Sequence, residues 1–143
     1  MHSLILLPGL ACDAGLWAAQ QPLLAMQARV HVSDVHFRFD SLAGMADALL
    51  AEHPGPLVLA GASMGGMVAM HAALRAPRRV VALALLGISA RADTPELMRL
   101  RTEACALFAQ GRMDEVLRAN VPFAFHPDHA ADAGLVDPYL AMI

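Results

Sequence analysis

Leu57-Val58-Leu59-Ala60-Gly61-Ala62-Ser63-Met64-Gly65-Gly66-Met67-Val68-Ala69 is the stretch on which the fold turns. An apolar run of strand length leads directly into Gly61-Ala62-Ser63, and an apolar stretch suited to a helix follows. Gly61, Ser63 and Gly65 spell G-x-S-x-G. In a nucleophile elbow a strand turns sharply into a helix and the serine sits at the tip. The backbone there is strained, so the flanking positions must be small, and Gly61 and Gly65 meet that need. Gly66 lets the helix pack close to neighbouring strands. The tip exposes the serine oxygen, and the helix N-terminus faces developing negative charge. Three fixed small positions would recur by chance in about 5 % of chains this long. The strand before and the helix after are what make the motif specific.

Outward from the motif, strands and helices alternate. Ser3 to Leu7 reads as a first strand, ended by Pro8-Gly9. Asp13 is a candidate cap for a helix holding Leu16, Trp17, Leu23 and Leu24. Val30 to Val35 reads as a second strand. Asp40 or Ser41 caps a helix with Leu42, Met45, Leu49 and Leu50 on one face. His53-Pro54-Gly55-Pro56 ends it. Leu57 to Ala62 is the third strand, followed by a helix from Met64 to about Ala76, which Pro77 stops. Val80 to Ile88 is the fourth strand and the longest apolar run. The strands are continuous apolar runs, the pattern of strands covered on both faces. The repeat predicts an α/β fold with a parallel sheet of about four strands and flanking helices.

The character changes near Ser89. Helices are expected at Thr94 to Gln110, at Met113 to Asn120 and from about Ala130, with a loop at His126-Pro127. The organisation expected is a core over 1–92 and a helical segment over 93–143.

Composition narrows the function classes. The hydrophobic share of 57 % is high, against about 45–50 % for ordinary domains, but no apolar run nears the roughly 18 residues of a membrane span. The net charge of −3 and ten scattered arginines leave no footprint for nucleic acid. No Lys or Arg precedes Leu4 to Leu7 and Pro8-Gly9 breaks the run, so a signal peptide is not expected and a cytoplasmic protein is. Cys12 and Cys105 lack metal-type spacing and read as ordinary buried thiols. No metal and no cofactor are expected. The oligomeric state is left open.

Pro8-Gly9 places a tight turn after the first strand. In the architecture built around such an elbow, that turn supplies one oxyanion-hole N–H and the residue after the nucleophile supplies the other. The donors here would be Leu10 and Met64.

Together these residues resemble the α/β-hydrolase superfamily, especially small bacterial carboxylesterases of the pimeloyl-carrier-protein methyl ester esterase type. The matching segments are Leu7 to Trp17, Gly61 to Gly66, Ala76 to Val81 and Ser89 to Pro95. The resemblance covers the whole chain. It implies a Ser-Asp-His triad, an oxyanion hole and a helical cap, with 93–143 as an incomplete cap. Two positions depart from the pattern: Pro8 stands where His is usual, and Ala62 stands where His often precedes the nucleophile. The first leaves the Leu10 donor in place, and the second implies altered specificity only.

The resemblance further implies that acid and histidine follow the serine, in that order, on loops beyond later strands. No strand is expected after Ile88, so the chain reads as the front part of a longer enzyme. Asp93 reads as part of a helix cap, with a triad acid as the sharper alternative. His126 and His129 read as solvated loop residues, with a triad base as the alternative. His71 lies down the elbow helix from its tip, and His2, His31, His36 and His53 precede the serine. The sheet order that the resemblance implies, without later strands, leaves Arg79 to Ile88 as a bare apolar edge.

The resulting expectation is a serine hydrolase of carboxylic esters, acting on a small ester-type substrate through an acyl-enzyme. The chain alone is expected to be nearly inactive. Leu97, Leu107, Phe108, Phe123 and Phe125 are candidates for an apolar acyl pocket or for plain packing. Alternatives are a thioesterase, amidase or C–C bond hydrolase on the same scaffold, or a non-catalytic truncated homologue.

Overall fold

The computed structural model describes residues 3–142. His2, a candidate named above, and residue 143, the end of the expected helical segment, lie outside them. The chain forms two compact units, Met1–Ile88 and Ser89–Ile143.

The first unit is built on β1 (Ser3–Leu7), β2 (Arg29–Val32), β3 (Leu57–Ala62) and β4 (Val80–Leu86). They form a sheet in the order β2-β1-β3-β4, and every pairing is parallel. The expected α/β architecture is therefore present. Its connections are α1 (Gln21–Leu24), α2 (Val35–Arg38), α3 (Leu42–Glu52) and α4 (Met64–Arg75).

β1 is an inner strand, and its side chains split between two cores by the period of two. Ile5 and Leu7 pack with Val35, Met45, Leu49, Leu57, Leu59, Val68 and Ala72. Leu4 and Leu6 pack on the opposite face with Trp17 and Ala60. Each fully buried Leu or Ile contributes roughly 1.5–3 kcal/mol of transfer free energy, so this strand anchors the unit.

Several expectations need correction. Asp13 caps a 3₁₀ turn over Ala14–Trp17, not a continuous helix. The α-helical part is only Gln21–Leu24, with Pro22 in its first turn, where a missing N–H is tolerated and continuation from before it is not. The second strand stops at Val32. Ser33 Oγ accepts from the Val35 N–H at 3.4 Å, and Val35 opens α2 as a buried core residue. The fourth strand ends at Leu86 because Gly87 takes φ +61°. The bare apolar edge expected there is present: Val81, Leu83, Leu85 and Leu86 are exposed, so the pattern of cover on both faces does not hold for this strand. Among the described residues it pairs only with β3, at the sheet edge.

The second unit holds α5 (Pro95–Ala109), α6 (Met113–Ala124) and α7 (Ala133–Ala141). Thr94 Oγ1 accepts from the Leu97 N–H at 3.2 Å and caps α5. α6 runs four residues past the expected Asn120, through Pro122. α7 starts later than Ala130, because Pro127–His129 form a 3₁₀ turn and Asp132 provides the cap. Phe125 meets Tyr139 edge to face at 5.4 Å. Cys105, expected buried, is exposed on α5, whereas Cys12 is buried.

Candidate active site

Ser63 stands between the end of β3 and the start of α4. Its backbone takes φ +50°, ψ −118°, a region that side chains avoid and that costs about 1–3 kcal/mol. The surroundings hold it there. The Ser63 N–H donates to Leu86 O at 2.9 Å, and Ser63 O accepts from the N–H groups of Gly66 and Met67 at 2.9 and 3.3 Å. The side chain is exposed.

The glycines explain why the turn can be so tight. A Cβ on Gly61 would overlap the backbone of Gly65 and Gly66, and one on Gly65 would overlap Leu7 and Pro8. At Gly66 a Cβ would sit 3.1 Å from Ile88 Cγ2 and 3.2 Å from Gly61 O. The end of β1 is thereby seated on the first turn of α4.

The turn after β1 lies against the same place. A Cβ built on Gly9 would be 3.4 Å from Ala62 O, 3.5 Å from Ser63 Cβ and 3.9 Å from Cys12 Sγ. The Cys12 N–H closes the turn onto Gly9 O at 3.1 Å, and Ala11 takes φ +58°. Leu10 is exposed in this turn. Among the described residues, neither the Leu10 N–H nor the Met64 N–H has an acceptor. Met64 opens α4, where such N–H groups have no partner within the helix.

The remaining candidates lie elsewhere. Among the described residues of the first unit, no histidine hydrogen bonds to the Ser63 hydroxyl. His31 and His53 approach each other, with ring centroids 5.3 Å apart. His36 Nε2 is 2.7 Å from Cys12 O, and His71 Nδ1 is 3.3 Å from the Arg75 guanidinium. In the second unit, Asp93 pairs with Arg101 at 2.7 Å beside the Thr94 cap. His126 caps the following 3₁₀ turn through Nδ1, and it and His129 are exposed. Of the five apolar candidates, Leu97 and Phe123 are exposed and Leu107, Phe108 and Phe125 are half-buried. Among the described residues, no group of three or more His, Cys, Asp and Glu is arranged to hold a metal. Burial, with Asp13 adding, pushes the Cys12 thiol up against the opposing hydrogen bond from Gly9. Sequence reasoning passed over His36 because it precedes the serine, and no sequence signal links it to Cys12.

With this geometry in place, the model of the alpha/beta hydrolase fold family matches residues 2–140. The chain belongs to the α/β-hydrolase family. This α/β-hydrolase is 36 % identical over 92 residues to a pimeloyl-[acyl-carrier protein] methyl ester esterase of Aromatoleum aromaticum, covering 60 % of the chain and 37 % of the relative. It is 33 % identical over 126 residues to the protein of that name from Klebsiella pneumoniae, covering 80 % and 48 %. Among solved structures, a thermophilic esterase from Thermogutta terrifontis superposes on the whole chain with a TM-score of 0.73 and 25 % identity, over 58 % of its own length. A hydrolase from Pseudomonas aeruginosa superposes on 99 % of the chain with a TM-score of 0.74 and 23 % identity, over 57 % of its own length. The α/β-hydrolase chain thus spans less than half the length of these two curated relatives. No described helix is long and apolar enough to cross a membrane.

Proposed function

We propose that this α/β-hydrolase chain carries the nucleophile and oxyanion hole of a serine hydrolase of carboxylic esters. The observation that carries the reading is Ser63 held at φ +50° on a strand-to-helix turn, with two unpartnered N–H groups on adjacent turns. Ser63 Oγ attacks the carbonyl carbon, and its proton passes to a base. The N–H groups of Leu10 and Met64 hold the resulting oxyanion. The alkoxide leaves with that proton, and water then attacks the acyl-enzyme and releases the acid.

A serine without a base is a weak nucleophile. The matched spans cover only 37 % and 48 % of these two curated relatives, and family order puts acid and histidine after the serine. We therefore assign both to sequence beyond the matched span and read 93–143 as part of a helical cap. The chain alone keeps only the contribution of the oxyanion hole, which is several orders of magnitude short of a complete triad. The esterase relatives support an ester substrate. We also propose a cytoplasmic location, in keeping with the two free cysteines, Cys12 and Cys105.

The test is labelling with a fluorophosphonate, followed by intact mass, on this chain and on Ser63→Ala. Slow formation of a single adduct, absent from Ser63→Ala, is expected. A folded chain that takes no adduct after prolonged exposure, or takes one equally in Ser63→Ala, overturns the assignment of Ser63.

A further inference from the structure

His36 makes a contact that the reading above does not use. It lies in α2, 24 residues from Cys12 in sequence, yet its Nε2 is 2.7 Å from Cys12 O. A carbonyl only accepts, so Nε2 must carry the proton. Nδ1 is buried and has no partner among the described residues. The Nε2–H group is therefore the donor from which Cys12 O accepts.

The carbonyl it grips belongs to the turn that presents Leu10. That turn contains a non-glycine residue at positive φ, Ala11, which persists only where the surroundings over-determine it. Cys12 ties the turn from within through its N–H to Gly9 O, and His36 ties it from outside through Cys12 O. Gly9 in turn lies against Ser63. We infer that His36 is a positioning residue, whose Nε2–H bond to Cys12 O fixes the Gly9–Cys12 turn and so the Leu10 N–H beside Ser63. The inference rests on the oxyanion role proposed for Leu10, but the tether itself is testable without any reaction.

The experiment compares wild type with His36→Gln, His36→Asn and His36→Ala, each checked for folding by circular dichroism and thermal midpoint. Gln places an amide N–H where Nε2 stands, whereas Asn and Ala do not reach. The first readout is amide hydrogen exchange at Cys12, whose N–H bond to Gly9 O closes the turn, by NMR, together with the ¹⁵N signature of the His36 tautomer. An Nε2–H signature is expected, with exchange about tenfold faster in the Asn and Ala variants, the scale of one lost hydrogen bond, and near wild type in Gln. The second readout is the rate of fluorophosphonate labelling. It should fall roughly tenfold to a hundredfold in Asn and Ala, the range for a displaced oxyanion donor, and recover in Gln at an unchanged thermal midpoint.

Wild-type exchange in His36→Ala, equal loss in Gln and Ala, or a ring that carries no proton on Nε2 overturns the tether. A loosened turn that leaves labelling unchanged overturns the positioning role. If wild type takes no label, the Ser63 assignment fails, the positioning role falls with it, and the exchange ratios still decide the tether.

Discussion

Ser63 sits where a residue without a side chain would be more comfortable. Its φ of +50° with ψ −118° costs about 1–3 kcal/mol that glycine avoids. Ser63→Gly is therefore expected to melt several degrees higher than Ser63→Ala, while both lose the fluorophosphonate adduct. Equal thermal midpoints would show that the turn stores no strain. The cysteines give a second prediction. With its thiol pushed up by burial, Cys12 should react with iodoacetamide at pH 7 far more slowly than exposed Cys105, as peptide mass mapping over time would show. Much of this scale was legible in advance. Gly61, Ser63 and Gly65 stand almost adjacent, so their spacing alone announces a tight turn. Ala11 was not legible, since alanine carries no mark of positive φ. Nor was the His36–Cys12 bond, which exists only after β2 and β1 have paired.

Among the elements, each strand was located by a short run bounded by Pro, Gly or caps, apolar in β1, β3 and β4 and mixed in β2 (Arg29–Val32). Their ends were harder to read. Val35 continues an apolar run and yet belongs to a helix, since Ser33 and Asp34 turn the chain. One junction rests on a single side chain that no pattern reveals. Arg79, next to β4, donates to Leu50 O, His53 O and Gly55 O, gathering the carbonyls behind α3. Hydrogen bonds from charged donors contribute about 1.5–3 kcal/mol. Arg79→Ala should thus cost about 2–3 kcal/mol in urea unfolding, and Arg79→Lys should recover only part, because an ammonium lacks the planar fork. An Ala variant as stable as wild type would refute the role. At β4, the exposed apolar side chains on an edge strand create an aggregation hazard. Leu83→Lys is expected to raise the concentration at which light scattering appears, and unchanged scattering would acquit that edge.

Across the whole molecule, pH should act through the first unit. Burial, and then the neighbouring His31, hold His53 below its ordinary value, against a smaller opposite pull from Glu52. The unfolded chain binds the proton more readily, so stability is complete above the unfolded value of about 6.5 and declines as pH falls below it. The thermal midpoint should drop between pH 7 and 5, and His53→Gln should flatten that drop. A wild-type midpoint constant over this range would remove His53 from consideration. At this scale the parallel sheet was legible from strand–helix repetition. The exposure of β4 was legible only through the sheet order that the family resemblance implies, because a continuous apolar run looks the same whether or not a neighbour covers it.

The strand order β2-β1-β3-β4 also sets a timetable for synthesis. β1 is the first strand to be made, but its partner on one side, β3, begins only at Leu57. At about 5–20 residues per second, Leu4 to Leu7 wait roughly 3–11 s with that flank open. Ile5, Leu6 and Leu7, all fully buried in the finished fold, thus stay half-paired through that interval, and a holding chaperone on the ribosome would meet them there.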